Sequence, residues 1–182
     1  MKNAGKSDKH VVWIIKIIVI TLLLSAVFSA LSELVMTGAS LPAAIVTVVV
    51  IILIGVFFDV IGVAVAAADP AAILAMCAKK IRGARQANVL IRNADKVSSI
   101  CNDVIGDICG IVSGASAGVI DAFLILNAKE SVAGLITIAV SSVVATLTVG
   151  GKAMCKRFAL KNANKIVHAV GYGMSIFSPG KK

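Results

Sequence analysis

The chain has 182 residues, 59% of them hydrophobic, and a formal net charge of +9 at pH 7. Its mean hydropathy is +1.00. A soluble domain of this length cannot cover so much apolar surface with so few polar residues, which excludes an ordinary water-soluble domain and indicates lipid as the solvent for much of the chain. The length allows one helical bundle and no large soluble domain beside it.

The first predicted membrane span runs from Val11 to about Ser32, close to the roughly 20 residues that cross a bilayer. Lys2, Lys6 and Lys9 precede it, and Lys16 lies about one turn inside, where it can snorkel back to the headgroups. Basic residues before an apolar run also begin a secretory signal. The length of this run favours a retained signal-anchor helix over a cleaved signal.

Three further spans are predicted. The second runs from about Pro42 to Ala68, since Pro suits the first turn of a helix and Asp69-Pro70 suits its end. The third runs from about Ser98 to Leu126 and is rich in Gly and Asp, and the fourth runs from about Val132 to Val149. The predicted fold class is therefore an all-α integral membrane protein with four transmembrane helices.

Positive charges alternate between the connecting segments. Most Lys and Arg residues lie in the N-terminus, in residues 70–97 and in the tail from Lys152 onwards. The loop at Glu33–Leu41 has no Lys or Arg, and the turn at Asn127–Ser131 has Lys129 alone. The positive-inside rule then predicts a multi-pass protein of the cell membrane with both ends in the cytosol.

Residues 70–97 do not resemble an ordinary loop, because apolar and basic residues are interleaved there. The pattern predicts a cytosolic, juxtamembrane pair of amphipathic helices divided at Gly83. Its first basic residues are predicted to contact lipid headgroups, with a specific acidic ligand as the other interpretation: Lys79, Lys80, Arg82 and Arg85. The tail from Lys152 to Ile166 has a similar character.

The third span carries a ladder of small residues, spaced by four: Gly106, Gly110, Gly114 and Gly118. Such a ladder allows close helix packing, within the chain or in a homodimer. Asp103, Asp107 and Asp121 fall on nearly the same stripe at about 100° per residue. That face is expected to lie against protein or water, since lipid would not solvate it.

Carboxylates inside a span are energetically expensive, at roughly 2.5–3.5 kcal/mol for an Asp at the bilayer centre. They commonly mark a cation path, a proton relay or a charge pair, and Asp59 adds another in the second span. Mg²⁺ prefers oxygen ligands, which Asp, Asn, Ser and backbone carbonyls beside glycines would supply. The alternative is that Asp103 and Asp121 lie at the helix ends, and Asp103 at the helix start would suit the dipole.

Other classes of function find little support in the sequence. His10 and His168 lie in the two tails, and no phosphate loop, GxSxG or HExxH motif occurs, so we expect no enzyme. The four cysteines form no CxxC pair, which disfavours a zinc or redox site, and we expect them to be reduced. The basic segments lack the aromatic residues that bind nucleic acid, and no covalently bound cofactor is expected.

From about Phe57 to Pro179 the chain resembles the transmembrane domain of the CNNM/CorB/CorC-type magnesium transporters. That domain has three transmembrane helices, with a juxtamembrane helix pair after the first. The corresponding stretches are Phe57–Ala64, Gly83–Ala87, Asn93–Lys96, Val104–Asp107 and Gly150–Arg157. For Val104–Asp107, Asn102-Asp103 is an alternative register. Asp59 and Gly62 replace a Ser and a Glu of the first family motif, and Ile108 replaces an Asn of the Gly-Asn-Asn motif. The Glu and Pro of the last motif and the CBS-pair region have no counterpart.

The resemblance implies three parts: residues 1–41 as a basic tail with an extra helix, residues 42–179 as the transporter-like domain, and residues 180–182 as a basic tail. It implies Mg²⁺ or Co²⁺ as the transported ion and a homodimer in the lipid membrane. The ion site would use Asp59, Gly106 and Asp107, with Asn102 and Asp103 beside them. The alternative is a non-transporting scaffold or partner subunit that keeps the fold and has lost the ion site.

Overall fold

The computed structural model describes residues 4–126 and 132–177, with side chains for 12–126 and 132–176, and this described part is entirely helical apart from short connections. The predicted turn at 127–131, Lys2 and the tail from 178 lie outside it. The α-helices are α1 Ala4–Met36, α2 Leu41–Ala67, α3 Pro70–Ala78, α4 Ala84–Arg92, α5 Ala94–Ser99, α6 Asp107–Leu126, α7 Ala133–Lys161 and α8 Ala163–Phe177; a π-helical segment, Ile100–Gly106, joins α5 to α6.

Four helical stretches are long and apolar enough to cross a membrane: Val12–Met36, Leu41–Ala67, Ala94–Leu126 and Ala133–Lys161. Four such helices were expected from the sequence, and this part of the predicted fold class is confirmed. In these stretches the backbone polar groups are satisfied within each helix, which is a requirement for any segment surrounded by lipid.

The second long helix ends where the sequence predicted. α2 stops at Ala67, and the Asp69 carboxylate then accepts a hydrogen bond of 2.9 Å from the Ala71 amide at the start of α3. Pro70 occupies the first position of α3, where its missing N–H costs nothing. The Asp69 amide donates to the Asn164 side chain at 2.8 Å, so the corner between α2 and α3 is also held to α8.

The predicted division of residues 70–97 at Gly83 is confirmed. Gly83 has a φ of +84° and precedes α4, a backbone conformation that glycine adopts at little cost. The break between α3 and α4 also includes Lys80, whose φ is +54°. Asn93 then separates α4 from α5.

Three long helices extend beyond the predicted spans, and the first of them continues to Met36 rather than ending at about Ser32. The third long helix begins at Ala94 rather than near Ser98, and it includes a π-helical turn that was not expected. The fourth continues to Lys161, twelve residues beyond the predicted end of the span at about Val149. The basic residues after Gly151 therefore belong to α7, because Lys and Arg propagate a helix well even where they end an apolar run.

The chain divides into two compact units. The first comprises Met1–Ile52 and Asp107–Val144. In it, α1 packs against α6, and the buried Ser32 and Ser116 hydroxyls share a hydrogen bond of 2.6 Å. Such bonds between helices are worth on the order of 0.6 kcal/mol in a membrane. The buried face of α6 consists of Ile108, Cys109, Val112, Ser113, Ser116, Ala117 and Ile120.

The second unit comprises Leu53–Gly106 and Ala145–Lys182. Its core joins the end of α2 to α3, α4, the π-helical segment, α7 and α8 through residues that include Ile61, Val65, Ile73, Ala87, Cys101, Ala159 and Val167. α4 packs most extensively against α8. Of the two amphipathic helices predicted at 70–97, α3 contains no charged residue and only α4 is amphipathic, and α8 packs against both.

We predict that Asp69→Ala lowers the stability by about 1 kcal/mol, because it removes the N-cap of α3. For a chain of this size that corresponds to a fall in melting temperature of about 2–4 °C. The measurement is thermal unfolding of purified protein in detergent. Asp69→Asn is the matched control, since Asn caps a helix as well as Asp does, and an equal loss in both variants would contradict a capping role.

Candidate polar site at the π-helical segment

The polar residues that the sequence hypothesis singled out lie well inside long apolar helices. Asp59 is half-buried on α2, eight residues before the end of the helix at Ala67, or about 12 Å at 1.5 Å per residue. Lys152 lies nine residues before the end of α7 at Lys161, about 14 Å by the same measure. These groups are therefore not confined to the helix ends.

Asn102, in the π-helical segment, lies directly over Gly62 of α2. A Cβ atom at Gly62 would overlap the Asn102 side-chain amide and come within 3.0 Å of the Cys101 Cβ atom. The Asn102 Oδ1 atom is buried and accepts no hydrogen bond from the described part of the chain. Asp59 precedes Gly62 by one helical turn and so shares its face of α2.

The Gly106 carbonyl at the end of the π-helical segment faces a positive charge. Lys152 Nζ donates a hydrogen bond of 3.1 Å to it, and both groups are at least partly buried. A Cβ atom at Gly106 would lie 3.3 Å from Lys152 Nζ and 3.3 Å from the Cys101 carbonyl oxygen. Glycine thus gives the ammonium group close access to the backbone here.

The structure does not place all the predicted ligands alike. Asp103, in the π-helical segment, is exposed, and Asp107, the first residue of α6, is exposed as well. Asp121 is half-buried, and its Oδ2 atom accepts a 2.7 Å hydrogen bond from Thr137. The structure brings Asn102 to Gly62, one turn from Asp59 on α2, and brings the Gly106 carbonyl to Lys152.

The glycine ladder has two different parts. Gly106 is buried, whereas Gly114 and Gly118 are exposed, and no described atom outside their own helix lies within 4 Å of a Cβ atom built on either. Within one chain, α6 therefore packs through the neighbouring face that contains Ser116. The packing role predicted for Gly114 and Gly118 stays a prediction.

The basic residues predicted to contact headgroups surround the break between α3 and α4. Lys79, Lys80, Arg82 and Arg85 are all exposed. The Arg82 carbonyl lies 3.0 Å from His168 Nε2 of α8, so His168 contacts this connection. The charged side chains are thus presented on a segment whose backbone is fixed to α8.

Within the described residues, no three His, Cys, Asp or Glu side chains form a group that could hold a metal ion. The sequence hypothesis placed amide and backbone oxygen atoms in the site beside carboxylates. In the structure the Asn102 side-chain amide lies over Gly62, and the Gly106 carbonyl accepts a hydrogen bond from Lys152. The sequence hypothesis missed Lys152, because hydropathy assigned that residue to the tail. The only sequence signal for its position was the absence of proline between Val149 and Lys161.

Gly62→Ala is expected to destabilise the protein by about 1–3 kcal/mol, because the added methyl group displaces the Asn102 amide and crowds Cys101. The double variant Gly62→Ala/Asn102→Ala should regain most of that loss. A double-mutant cycle from thermal unfolding in detergent measures the coupling. Additive losses would contradict the contact.

The described helices define the class of protein as an all-helical chain with four helices long and apolar enough to cross a membrane. Comparison of the chain with protein-family models, curated proteins and solved structures found no match in any of the three. The function is accordingly proposed from the site itself.

Proposed function

We propose that this chain is a multi-pass protein of the cell membrane, with both ends in the cytosol, that moves a divalent cation such as Mg²⁺ or Co²⁺. The ion would be bound by oxygen atoms of Asp59, Asn102, Asp103, Gly106 and Asp107. The observation that carries the proposal is the buried Asn102 Oδ1 atom over Gly62, which accepts no hydrogen bond from the described residues. Backbone carbonyl oxygens are also ligands of hard cations.

The Asn102 Oδ1 atom is energetically costly as it stands. Leaving a buried acceptor without a hydrogen-bond partner among the described residues costs about 1–3 kcal/mol. A bound cation or its water shell would supply the missing interaction. Asp59, one turn from the contacting glycine, would add negative charge to the site.

The experiment is divalent-cation flux into proteoliposomes that contain an internal Mg²⁺ dye. We expect flux of Mg²⁺ or Co²⁺ above that of protein-free liposomes, with Na⁺ and H⁺ gradients tested as driving forces. Absence of flux from correctly folded protein under all of these conditions would reject the transport proposal.

A second candidate is a non-transporting scaffold or partner subunit with the same fold. It is favoured by the position of Lys152, because a fixed positive charge 3.1 Å from the Gly106 carbonyl repels a divalent cation at that atom. If wild-type protein shows no flux, Lys152→Gln separates the cases. A gain of Mg²⁺-dependent thermal stabilisation in this variant would mean that the oxygen ligands remain and that the lysine blocks them.

A homodimer is part of the proposal. Gly114 and Gly118 expose a strip of backbone on α6 that the described chain leaves uncovered, and small residues at this spacing let two helices approach closely. Disulfide crosslinking of a Gly114→Cys variant, in which the four native cysteines are replaced, tests whether two copies meet there. The exposed Lys79, Lys80, Arg82 and Arg85 are proposed to contact anionic headgroups, each contributing about 1 kcal/mol near the surface.

A further inference from the structure

An apolar groove of about 640 Å³ lies in the second unit, between α2, α7 and α8. All its lining residues are apolar; they include Phe57 and Val60 of α2, Cys155 and Phe158 of α7, and Ile166 and Ala169 of α8. Its volume falls within the roughly 300–1,000 Å³ of small-molecule sites. Along α2 it extends from Leu53 to Ile61, eight residues or about 12 Å.

The groove is part of the fold rather than a gap between loosely packed helices. Gly151 of α7 approaches Val56 closely, since a Cβ atom at Gly151 would lie 3.2 Å from a Val56 methyl carbon. α8, which forms the third wall, is held by its packing against α4 and by the bond between Asn164 and the Asp69 amide. Phe158 is 60% exposed, so an aromatic ring is available to an occupant.

Positive charge lies beside the groove at the junction of α7 and α8. Lys161 follows the lining residue Phe158 by three positions, and Lys165 precedes the lining residue Ala169 by four, so each lies one helical turn from the groove. Both lysines are exposed. An occupant with an apolar body and an anionic end would pack against the apolar walls of the groove and pair with the two lysines.

We infer that the groove binds one anionic phospholipid, with an acyl chain against Phe57 and Phe158 and the phosphate near Lys161 and Lys165. The inference rests on the proposed membrane insertion of α2 and α7, and it is independent of ion transport. Basic pockets between membrane helices on the cytosolic side are a recurrent form of lipid headgroup site. A soluble phosphate would lack the apolar part that fills most of the groove.

The test uses tryptophan fluorescence, because Trp13 is the only tryptophan of the chain. In a Trp13→Phe/Phe158→Trp reporter, the groove holds the only tryptophan. The reporter is reconstituted into phosphatidylcholine vesicles. Either phosphatidylglycerol or phosphatidylcholine with brominated acyl chains is then added, and the bromine atoms quench nearby tryptophan. We expect brominated phosphatidylglycerol to associate with the groove at least about fivefold more strongly than brominated phosphatidylcholine. This is the factor expected from the attraction of one lysine to an anionic headgroup.

Two pairs of variants in the reporter background separate charge from shape. Lys161→Gln/Lys165→Gln should remove the preference, whereas Arg92→Gln/Lys96→Gln, with the same loss of charge at exposed positions outside the groove, should keep it. Ala169→Leu should lower quenching by both lipids because it fills the groove. Ala153→Leu, at an exposed position of α7 outside the groove, should not.

Equal association of both lipids, or a preference that survives Lys161→Gln/Lys165→Gln, would overturn the inference. Quenching by neither lipid would also overturn it and would indicate a second copy or another segment in the groove. Trp13 in the unaltered chain reports insertion separately, since either brominated lipid should quench it if α1 lies in the bilayer. If the reporter does not fold, native mass spectrometry of the unaltered chain and of Lys161→Gln/Lys165→Gln counts retained phosphatidylglycerol, and equal retention would reject the site.

Discussion

Gly171→Ala is expected to lower the melting temperature by about 4–12 °C, equivalent to about 2–3 kcal/mol for a chain of this size. Gly171 of α8 is buried where α8 crosses the start of α4. A Cβ atom there would lie 2.6 Å from the Gly83 carbonyl oxygen, 2.7 Å from the Ala87 amide nitrogen and 3.0 Å from the Ala87 Cβ atom. Two of these atoms are backbone, so a helix has to move.

The matched control is Gly173→Ala, two residues further along the same helix. No described atom outside the helix itself lies within 4 Å of a Cβ atom at Gly173, and alanine is the better helix former by about 1 kcal/mol. This variant should therefore be as stable as the wild type or slightly more stable. Unfolding in detergent can be followed with a thiol-reactive dye, because Cys101 and Cys109 are buried. Equal melting temperatures for both variants would contradict the close crossing of α4 and α8.

Asp107→Asn is expected to reduce divalent-cation flux to the level of protein-free liposomes, at least about tenfold, while the protein remains folded. The change keeps the size of the side chain and removes the negative charge that a hard cation requires. Flux is measured in proteoliposomes with the internal Mg²⁺ dye, and thermal unfolding is measured with and without Mg²⁺.

Asp95→Asn serves as the control, since Asp95 is another exposed carboxylate of the same continuous helix, twelve residues or about 18 Å from Asp107. It should leave flux unchanged. Undiminished flux in Asp107→Asn would exclude this residue as an essential ligand. A lower melting temperature without any dependence on Mg²⁺ would instead give Asp107 a structural role and favour the scaffold alternative.

The long helices and their local stops were predictable from the sequence. An apolar run near 20 residues determines a helix that can cross a membrane, because each of its backbone polar groups must be satisfied internally. The end of α2 at Ala67 and the break at Gly83 were predictable because both are determined by residues next to them in the sequence. The cap of Asp69, the fixed φ of Pro70 and the positive φ of Gly83 all act within a few residues of the chain.

The end of α7 was not predictable from hydropathy. Hydropathy marks where an apolar run ends, whereas α7 continues to Lys161 and is separated from α8 by Asn162 alone. The π-helical segment likewise has no local signal in Ile100–Gly106. Such insertions are stabilised by their surroundings, and here those include Gly62 on one side and Lys152 on the other.

By itself, the sequence determined the all-helical class, the number of membrane-length helices and the helix boundaries set by Asp69-Pro70 and Gly83, because these depend on interactions along the chain. The tertiary structure alone decided that Lys152 bonds to Gly106, that Asn102 lies over Gly62 and that α8 covers α4 at Gly171. These are contacts between residues 40 to 90 positions apart, and their energies depend on how the helices pack rather than on any local pattern.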